Sequence, residues 1–299
     1  REHRQLGGSP ASARRWKSVV KNFIEFAGHD DASAVTFEEA LAWKDKLIGD
    51  KVVTPNTFRK SNRAAMNAVF AVGVARAQIS YNPFKELKSK ASKVRKERPK
   101  SFSKEEIRMI LKGALAAPEM PGAYLKQTRD AIRWLPWLCA YSGSRINEVA
   151  QLHRKDVHEI EGHMCFVISP ESGRVKDGEY RFVPLHQHLI DQGFLEFVAS
   201  CPDGPLFYDP EPRREFPSEV AARAVRQWVR TRAGVTDPRV APNHAWRNTF
   251  KDIADVVGID PKYQNMICGH EGVSVGDRYS SQQVPVLARE MGKFPNFEL

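Results

Sequence analysis

Side chains that could act on a phosphate group occur at four separated places in this sequence, and a tyrosine follows the last of them. These candidate catalytic residues are Arg145, Lys176, His244, Arg247, His270 and Tyr279. His244 and Arg247 lie three residues apart in HAWRNTF, which places them on one face of a helix. His270 directly follows a glycine, where a backbone can approach a ligand closely, and Tyr279 comes nine residues later.

Together these residue types favour transfer of a phosphodiester to a tyrosine. The phosphodiester oxygens gain charge in the transition state, so fixed cations must face them. Arginine suits that task because its planar guanidinium binds phosphate oxygens in pairs and stays charged. A leaving 5′ oxygen needs a proton from lysine or histidine. The tyrosine then forms a covalent intermediate that conserves the bond energy.

Each candidate also has a structural interpretation when it is taken alone. Arg145 could form a salt bridge with Glu148, three residues later on a helix. Lys176 could serve solubility at a hairpin tip, and Arg174 and Arg181 compete with it for the role of the reactive cation. His244 could cap a helix and His270 could belong to a plain turn. Tyr263 is the nearby alternative nucleophile, but it precedes the Gly-His pair.

The totals favour a polyanionic partner and exclude several classes of protein. The chain has 299 residues and a net charge of +10, which favours nucleic acid or an anionic surface. No run of about 18 apolar residues predicts a spanning helix, and the first residues lack the apolar core of a signal peptide. Its 4 cysteines form no CxxC pair, which favours a reducing cytosol over a disulfide scaffold. Because there is no initiator Met, we expect a fragment of a longer chain.

No metal site or cofactor is expected. His153, His158 and His163 recur at intervals of five residues, a poor match to one helical face, so we interpret them as surface residues. Cys268 and His270 lack the partners that a zinc site needs.

Residues 1–88 are predicted to form a helical domain. The first predicted helix has apolar residues at helical spacing, namely Trp16, Val19, Val20, Phe23 and Ile24. Thr36 and Glu39 form a capping box at the start of the second. A third long helix starts near TPNT; its apolar positions are Phe58, Met66, Val69 and Phe70, and its polar side carries Arg59, Lys60 and Arg63.

Residues 89–101 are predicted to form a basic linker, and two interpretations of it stay open. The stretch KELKSKASKVRKERPK has no apolar periodicity. It could be a solvated tether, or it could lie along a phosphate backbone and release counterions. The candidate contacts are Lys90, Lys93, Arg95 and Lys96.

Residues 102–299 are predicted to form a second, mainly helical domain with one small antiparallel sheet. Ser103 and Glu106 form a second capping box. TRDAIRWLPWLCAYSG predicts a buried helix that ends at Gly143, and a short helix should follow in SRINEVAQL. HMCFVIS and YRFVPLH predict two strands around a turn at Asp177-Gly178. SEVAARAVRQWVRTRAG and HAWRNTFKDIADVVG predict two further helices.

The order Arg, Lys, His-x-x-Arg, Gly-His, Tyr resembles the tyrosine recombinase, or phage integrase, family. SGSRINEVAQL resembles T-G-x-R-x-x-E-x-x-x-L, KDGEYRFVPL resembles the family's hairpin lysine motif before V-P-L, and HAWRNTF resembles H-x-L-R-H-T-F. CGH and Tyr279 resemble L-G-H and the nucleophile that follows it. Departures from the family pattern that keep every catalytic group are Ser142, Trp246, Asn248, Cys268 and Ser281.

The resemblance implies a site-specific DNA recombinase without metal or nucleotide. It implies a helical core-binding domain and an integrase-type catalytic domain that clamp double-stranded attachment sites, with four protomers acting on two duplexes in the cytoplasm, at the nucleoid. The apolar C-terminal segment VPVLAREMGKF could dock on a neighbouring protomer. In the family, Tyr279 would attack and form a 3′-phosphotyrosine. Arg145, Arg247 and His270 would hold the non-bridging oxygens, Lys176 would protonate the 5′ oxygen, and His244 would assist.

Two alternatives to a recombinase stay open. A type IB topoisomerase shares the chemistry but relaxes supercoils as a monomer, and residues 12–87 look more like a recombinase core-binding domain. A non-enzymatic DNA-binding regulator could use the same fold, although a pure binder has no need for the full catalytic set. A covalent adduct on a nicked DNA substrate separates the enzymes from the regulator.

The linker prediction can be tested through salt dependence. If the four linker cations contact phosphates, replacing them with Ala should flatten the plot of log affinity against log salt, by about 0.9 per lost contact. Affinity for all DNA sequences should fall alike, because phosphate contacts do not specify sequence. Replacing Arg59, Lys60 and Arg63 should instead weaken cognate DNA more than random DNA, if that helix enters a groove. If the quadruple variant keeps the wild-type slope of log affinity against log salt, the linker does not contact phosphates and is a solvated tether.

Overall fold

The computed structural model describes residues 10–88, 98–120, 124–173, 180–211, 216–270 and 283–299. The chain forms two compact units, one with the described residues up to 88 and the other with those from 98 onward. Helices dominate both units, and the second also contains a small antiparallel sheet. The predicted fold class is therefore confirmed.

The first unit is built from helices whose ends follow the local sequence. They are α1 (Pro10–Ala27), α2 (Phe37–Gly49) and α3, a continuous run of Pro55–Thr57, a π-helical Phe58–Arg63 and Ala64–Ala75. Gly28 follows α1 with a φ of +78°, a left-handed conformation that glycine adopts at little cost. The predicted capping box begins α2, since Glu39 N–H donates to Thr36 Oγ1 (3.1 Å) and Thr36 N–H donates to Glu39 Oε2 (3.0 Å).

Aromatic side chains form the core of this unit. Trp43 lies edge-on to Phe23, Phe58 and Phe84, with ring centroids 5.2, 5.5 and 6.1 Å away. Such tilted pairs suit the quadrupoles of the rings. The predicted apolar stripes are narrower than expected: Ile24 is 37% exposed and Val69 is 40% exposed, because the neighbouring aromatic residues occupy the core.

The helices of the second unit surround one buried helix. They are α4 (Lys104–Leu115), α5 (Lys126–Ser142), α6 (Ile146–Ala150), α7 (Gln187–Asp191), α8 (Phe194–Ser200), α9 (Pro217–Thr231), α10 (Pro242–Val256), α11 (Pro261–Cys268) and α12 (Val284–Met291). As the apolar sequence predicts, α5 is central: it contacts α4, α6, α9 and α10. The second predicted capping box is present at Ser103 and Glu106.

The described sheet has three strands, one more than the sequence analysis predicts. Strands β1 (Val157–Ile160), β2 (His163–Ile168) and β3 (Arg181–Pro184) pair antiparallel in that order. The prediction missed β1 because VHEI is short and half of it is charged or polar and exposed. The turn between β1 and β2 uses Glu161 and Gly162, both with positive φ, as tight hairpins require. The turn before β3 lies outside the described residues.

The C-terminal segment packs on its own chain. Val284, Leu287, Met291 and Phe294 are buried, and α12 contacts β2, β3 and α11. The Phe294 carbonyl accepts a hydrogen bond from His186 Nε2 (2.8 Å). These apolar side chains, which the sequence analysis expected to be available for a neighbouring protomer, are therefore covered within the same domain.

Gly143 ends α5 in a position that only glycine fills. Its φ is +59°, and an added Cβ would lie 2.8 Å from Phe250 Cδ1. Gly162 shares the positive φ, at +77°, but a Cβ there meets nothing within 4 Å. Comparing alanine substitutions at the two glycines therefore separates the cost of backbone strain from the cost of a steric clash.

We expect Gly143→Ala to destabilise the second unit more than Gly162→Ala does. The control should lose about 1–2 kcal/mol, the cost of a left-handed L-residue. Gly143→Ala should lose a further 1–3 kcal/mol or so, because Phe250 must shift in a filled core. Urea unfolding followed by tryptophan fluorescence measures both. Equal losses would show that the contact with Phe250 carries no cost.

Candidate active site

Arg145 stands where a buried helix ends and a short one begins. Gly143 turns the chain, and Arg145 then occupies the N-cap position of α6. Its guanidinium Nη1 donates to Glu148 Oε1 (2.7 Å), three residues ahead. The structural partner that the sequence suggested is thus present, yet the Arg145 side chain keeps 22% of its surface exposed. One edge of the guanidinium is fixed while part of the group remains accessible.

Glu148 holds a second arginine from a distant strand. Arg181, at the start of β3, donates from Nη2 to Glu148 Oε2 (2.8 Å) and to Ser144 Oγ (3.3 Å). Burial alone pushes the pKa of Glu148 up, but Arg181 and Arg145 outweigh it and hold the pKa below its ordinary value. The carboxylate therefore stays ionised and fixes two cations side by side.

Arg247 ties together the ends of two helices. The side chain is buried, with 8% exposed. Its Nη1 donates to the carbonyls of Gly143 (3.2 Å) and Cys268, and its Nη2 donates to the carbonyl of Gly269 (2.6 Å). Gly143 and Gly269 are left-handed residues that end α5 and α11. Helix C-termini present unpaired carbonyls and a negative dipole, which both favour a cation there.

The positive charges of the site repel one another. Burial lowers the pKa of Arg247, and the charges of Arg145 and Arg181 act in the same direction. Arginine nevertheless stays charged at neutral pH because its ordinary pKa is so high. These guanidiniums therefore repel one another, and a bound anion would reduce that repulsion.

His244 lies one turn before Arg247 on α10 and is exposed. Desolvation of the ring lowers the pKa of His244 below 6.5, and the charges of Arg145, Arg247 and Lys100 lower it further. The imidazole is thus neutral at pH 7 and can accept or relay a proton.

His270 follows the left-handed Gly269 at the end of α11. Its backbone N–H donates to the Asn265 carbonyl (3.0 Å), and its ring Nδ1 lies 2.7 Å from Lys251 Nζ. An added Cβ at Gly269 would collide with the guanidinium of Arg181. The glycine before the histidine is therefore required by backbone angle and by space.

The structure brings four of the six predicted catalytic residues into one group. Arg247 bonds the turn that carries His270 and interacts electrostatically with Arg145 and His244. Lys176 and Tyr279 lie outside the described residues, as do the linker cations Lys90, Lys93, Arg95 and Lys96.

The remaining predicted DNA contacts lie on the π-helical part of α3. Arg59 and Lys60 are exposed, whereas Arg63 donates to the carbonyls of Phe84 (3.1 Å) and Lys85 (2.6 Å). π-Helical turns are rare and occur frequently at functional sites. Arg59 and Lys60 are thus accessible to a ligand, while Arg63 also anchors the following segment.

The sequence analysis did not predict two residues of this group as site residues. Arg181 appeared there only as a rival of Lys176, and Lys251 did not appear at all. For Lys251 the sequence held a partial signal, since it lies four residues after Arg247 on the same helix.

Trp246, which replaces a leucine of the family pattern, packs against Phe102 with ring centroids 4.7 Å apart.

Two further findings bear on the class of site. Across the described parts of the chain, no group of three or more His, Cys, Asp or Glu side chains could hold a metal ion. None of the described helices is both long and apolar enough to cross a membrane. Guanidiniums that are fixed by hydrogen bonds can bind a tetrahedral oxyanion and stabilise charge that develops on it.

Known proteins share this arrangement of elements. The chain is 24% identical over 292 residues to tyrosine recombinase XerA of Thermococcus onnurineus (strain NA1), covering 96% of this chain and 90% of the relative. A λ integrase (75–356) dimer bound to a COC′ core site superposes with a TM-score of 0.64, at 16% identity and 90% coverage of both chains. The fold is that of the tyrosine recombinases. The Tn1549 transposon integrase in complex with a circular intermediate DNA gives a TM-score of 0.60, at 16% identity, covering 95% of this chain and 96% of that one. No family model matches the sequence.

The resemblance to tyrosine recombinases that the motifs carry is thereby confirmed over nearly the whole chain. The fold places Arg145 at the start of α6, His244 and Arg247 in the first two turns of α10, and His270 just after α11. The roles of the individual residues stay predictions.

The ion pairs of Glu148 predict that the free energy of unfolding falls as the pH becomes acidic. Its pKa is lower in the folded protein than its ordinary value of 4.5. Its contribution is therefore complete above the pKa of the unfolded chain and is lost as the pH falls through the folded-state pKa. Glu148→Gln should cost about 3 kcal/mol at pH 7, because it leaves two guanidiniums without their counter-charge.

Urea unfolding at pH 7 and at steps below pH 4.5 measures this difference. The gap between Glu148→Gln and wild type should close as the pH falls. Glu105→Gln, at an exposed carboxylate on α4, is the control and should match wild type throughout. A gap at Glu148 that is independent of pH would contradict the role of its charge.

Proposed function

We propose that this protein is a site-specific DNA recombinase that cleaves and rejoins DNA through a 3′-phosphotyrosyl intermediate. The observation that carries the proposal is the proximity of Arg145, His244 and Arg247, together with the bond from Arg247 to the turn before His270. Tyr279 follows His270 by nine residues in the sequence. The order of these residues along the chain is that of the tyrosine recombinases.

In the proposed cleavage step, the Tyr279 hydroxyl attacks the scissile phosphorus and its proton passes to a base, for which the neutral His244 is suited. Arg145, Arg247 and His270 bind the non-bridging oxygens as charge grows on them. The bond to the 5′ oxygen breaks, and Lys176 supplies the proton to that oxygen. The free 5′ hydroxyl of a second strand then attacks the phosphotyrosine, which restores the tyrosine and a phosphodiester. The bond energy is conserved throughout, so no nucleotide is consumed.

The proposed partner is double-stranded DNA with specific attachment sites. The net charge of +10 favours such a polyanion. We propose residues 1–88 as the core-binding domain, 89–101 as a linker along the DNA and 102–299 as the catalytic domain. By analogy with the λ integrase dimer on its core site, two protomers would bind each site and four would assemble in the recombining complex. The reaction would take place in the cytoplasm, at the nucleoid.

The nucleophile assignment is tested with a nicked suicide substrate. The attachment site is first located by footprinting on DNA that flanks the gene. Wild-type protein should then give a covalent protein–DNA adduct on a denaturing gel, because the nick releases the short strand and blocks religation. Tyr279→Phe should give no adduct, while its affinity for the site should stay within about threefold, since no phosphate contact is lost.

Tyr263→Phe is the matched control, because Tyr263 lies on α11 of the same domain. It should retain the adduct. Adduct formation by Tyr279→Phe would overturn the assignment. Specific binding by the wild-type protein without any adduct would favour the non-enzymatic regulator, and relaxation of supercoils by single protomers would favour the topoisomerase.

A further inference from the structure

Lys251 connects the helix that carries Arg247 to the turn that carries His270. Its ammonium group lies 2.7 Å from His270 Nδ1 and 2.7 Å from Asn265 Oδ1. The Asn265 carbonyl in turn accepts the backbone N–H of His270 (3.0 Å). These contacts hold the histidine through its backbone and through Nδ1.

The chemistry of these two groups assigns the proton on the ring. A lysine ammonium has three N–H donors and no acceptor. The hydrogen bond at Nδ1 therefore requires a lone pair on that nitrogen, and the proton of the neutral imidazole must lie on Nε2. Which ring nitrogen carries the proton is commonly set by the hydrogen bond that the other one makes.

We propose that Lys251 is a positioning residue that fixes His270 as its Nε2–H tautomer, so that Nε2 donates a hydrogen bond to a non-bridging oxygen of the DNA phosphate. This inference rests on the proposed function, because it names the phosphate as the acceptor. With the opposite tautomer, Nε2 would turn a lone pair towards an anionic oxygen. The site would then lose one of the donors that stabilise the developing charge.

The described charged groups around this turn are mostly cations. In the described structure, Arg247 on α10 bonds the Gly269 carbonyl and Arg181 on β3 lies against Gly269. Glu148 forms an ion pair with Arg181, and its charge also acts on Arg247. With the Lys251 ammonium at Nδ1, the tautomer of the uncharged ring decides whether Nε2 is a donor.

The competing explanation is that Lys251 only joins α10 to α11 through Asn265. The two roles differ in what they predict for the ring proton. If Lys251 only joins the helices, its removal should not change the His270 tautomer. If Lys251 positions the ring, its removal should change the tautomer. Lys251→Met removes the donors and keeps the length of the side chain, and Lys251→Arg restores donors.

Nuclear magnetic resonance tests the tautomer without DNA. Long-range ¹H–¹⁵N spectra of the histidine rings, with the His270 signals assigned by their loss in His270→Gln, should show a protonated Nε2 and an unprotonated Nδ1 in the full chain. Lys251→Met should shift these signals towards a mixture of tautomers, and Lys251→Arg should not. Lys112→Met, at an exposed lysine on α4, controls for loss of a charge. A His270 protonated on Nδ1, or a tautomer unchanged in Lys251→Met, would overturn the proposal.

Single-turnover cleavage of the suicide substrate gives a second signature. At pH 8, Lys251→Met should cleave about tenfold more slowly, by analogy with the lower end of the loss seen when the partner that orients a metal-bound histidine is removed. Lys251→Arg should stay within about threefold of wild type at this pH, in keeping with a restored donor.

The outcomes separate this inference from the proposed function. A Lys251→Arg variant that cleaves as slowly as Lys251→Met would contradict the positioning role, because arginine restores the donors. Near-ultraviolet circular dichroism of each variant checks that the fold is retained, and Lys251→Arg keeps the test decisive if Lys251→Met unfolds. If the wild-type protein forms no adduct on any DNA, the proposed function fails, while the ring spectra still decide whether Lys251 sets the tautomer.

Discussion

The second unit depends on one buried guanidinium. Arg247 binds the carbonyls at the ends of α5 and α11, and those carbonyls are available because Gly143 and Gly269 leave each helix in the left-handed conformation. Burying an unpaired charge is costly, whereas a charge that is hydrogen-bonded to fixed dipoles is tolerated. The same bonds that satisfy Arg247 therefore fix the turns before Arg145 and before His270, and a structural requirement positions the candidate chemistry.

A second constraint is the balance of charge. Glu148 accepts one guanidinium on each of its two oxygens, from Arg145 and from Arg181. This carboxylate organises the cations without cancelling them, because each guanidinium keeps further N–H groups beyond those it uses. Strand β3 thereby becomes part of the site, although it contributes no residue of the predicted catalytic set within its described bounds.

Local patterns predicted most of the helices and their ends, and tertiary contacts account for what they missed. Capping boxes and the glycine stop at Gly143 depend on residues within one turn, so the sequence reveals them directly. The pairing of Arg181 with Glu148 spans 33 residues, and that of Lys251 with His270 spans 19. Neither follows from periodicity, because each depends on how one element packs on another. Strand β1 was missed for a related reason, since its pairing with β2 outweighs a weak intrinsic signal.

The excess of positive charge at this site has a thermodynamic consequence. Arg145, Arg181 and Arg247 are held close to one another, and among the described residues Glu148 is the carboxylate paired with them, so repulsion among the three guanidiniums remains. Any polyanion that binds there relieves it and stabilises the folded state by mass action. Folding and ligand binding are linked in this domain, and the DNA substrate proposed above would also act as a stabilising ligand.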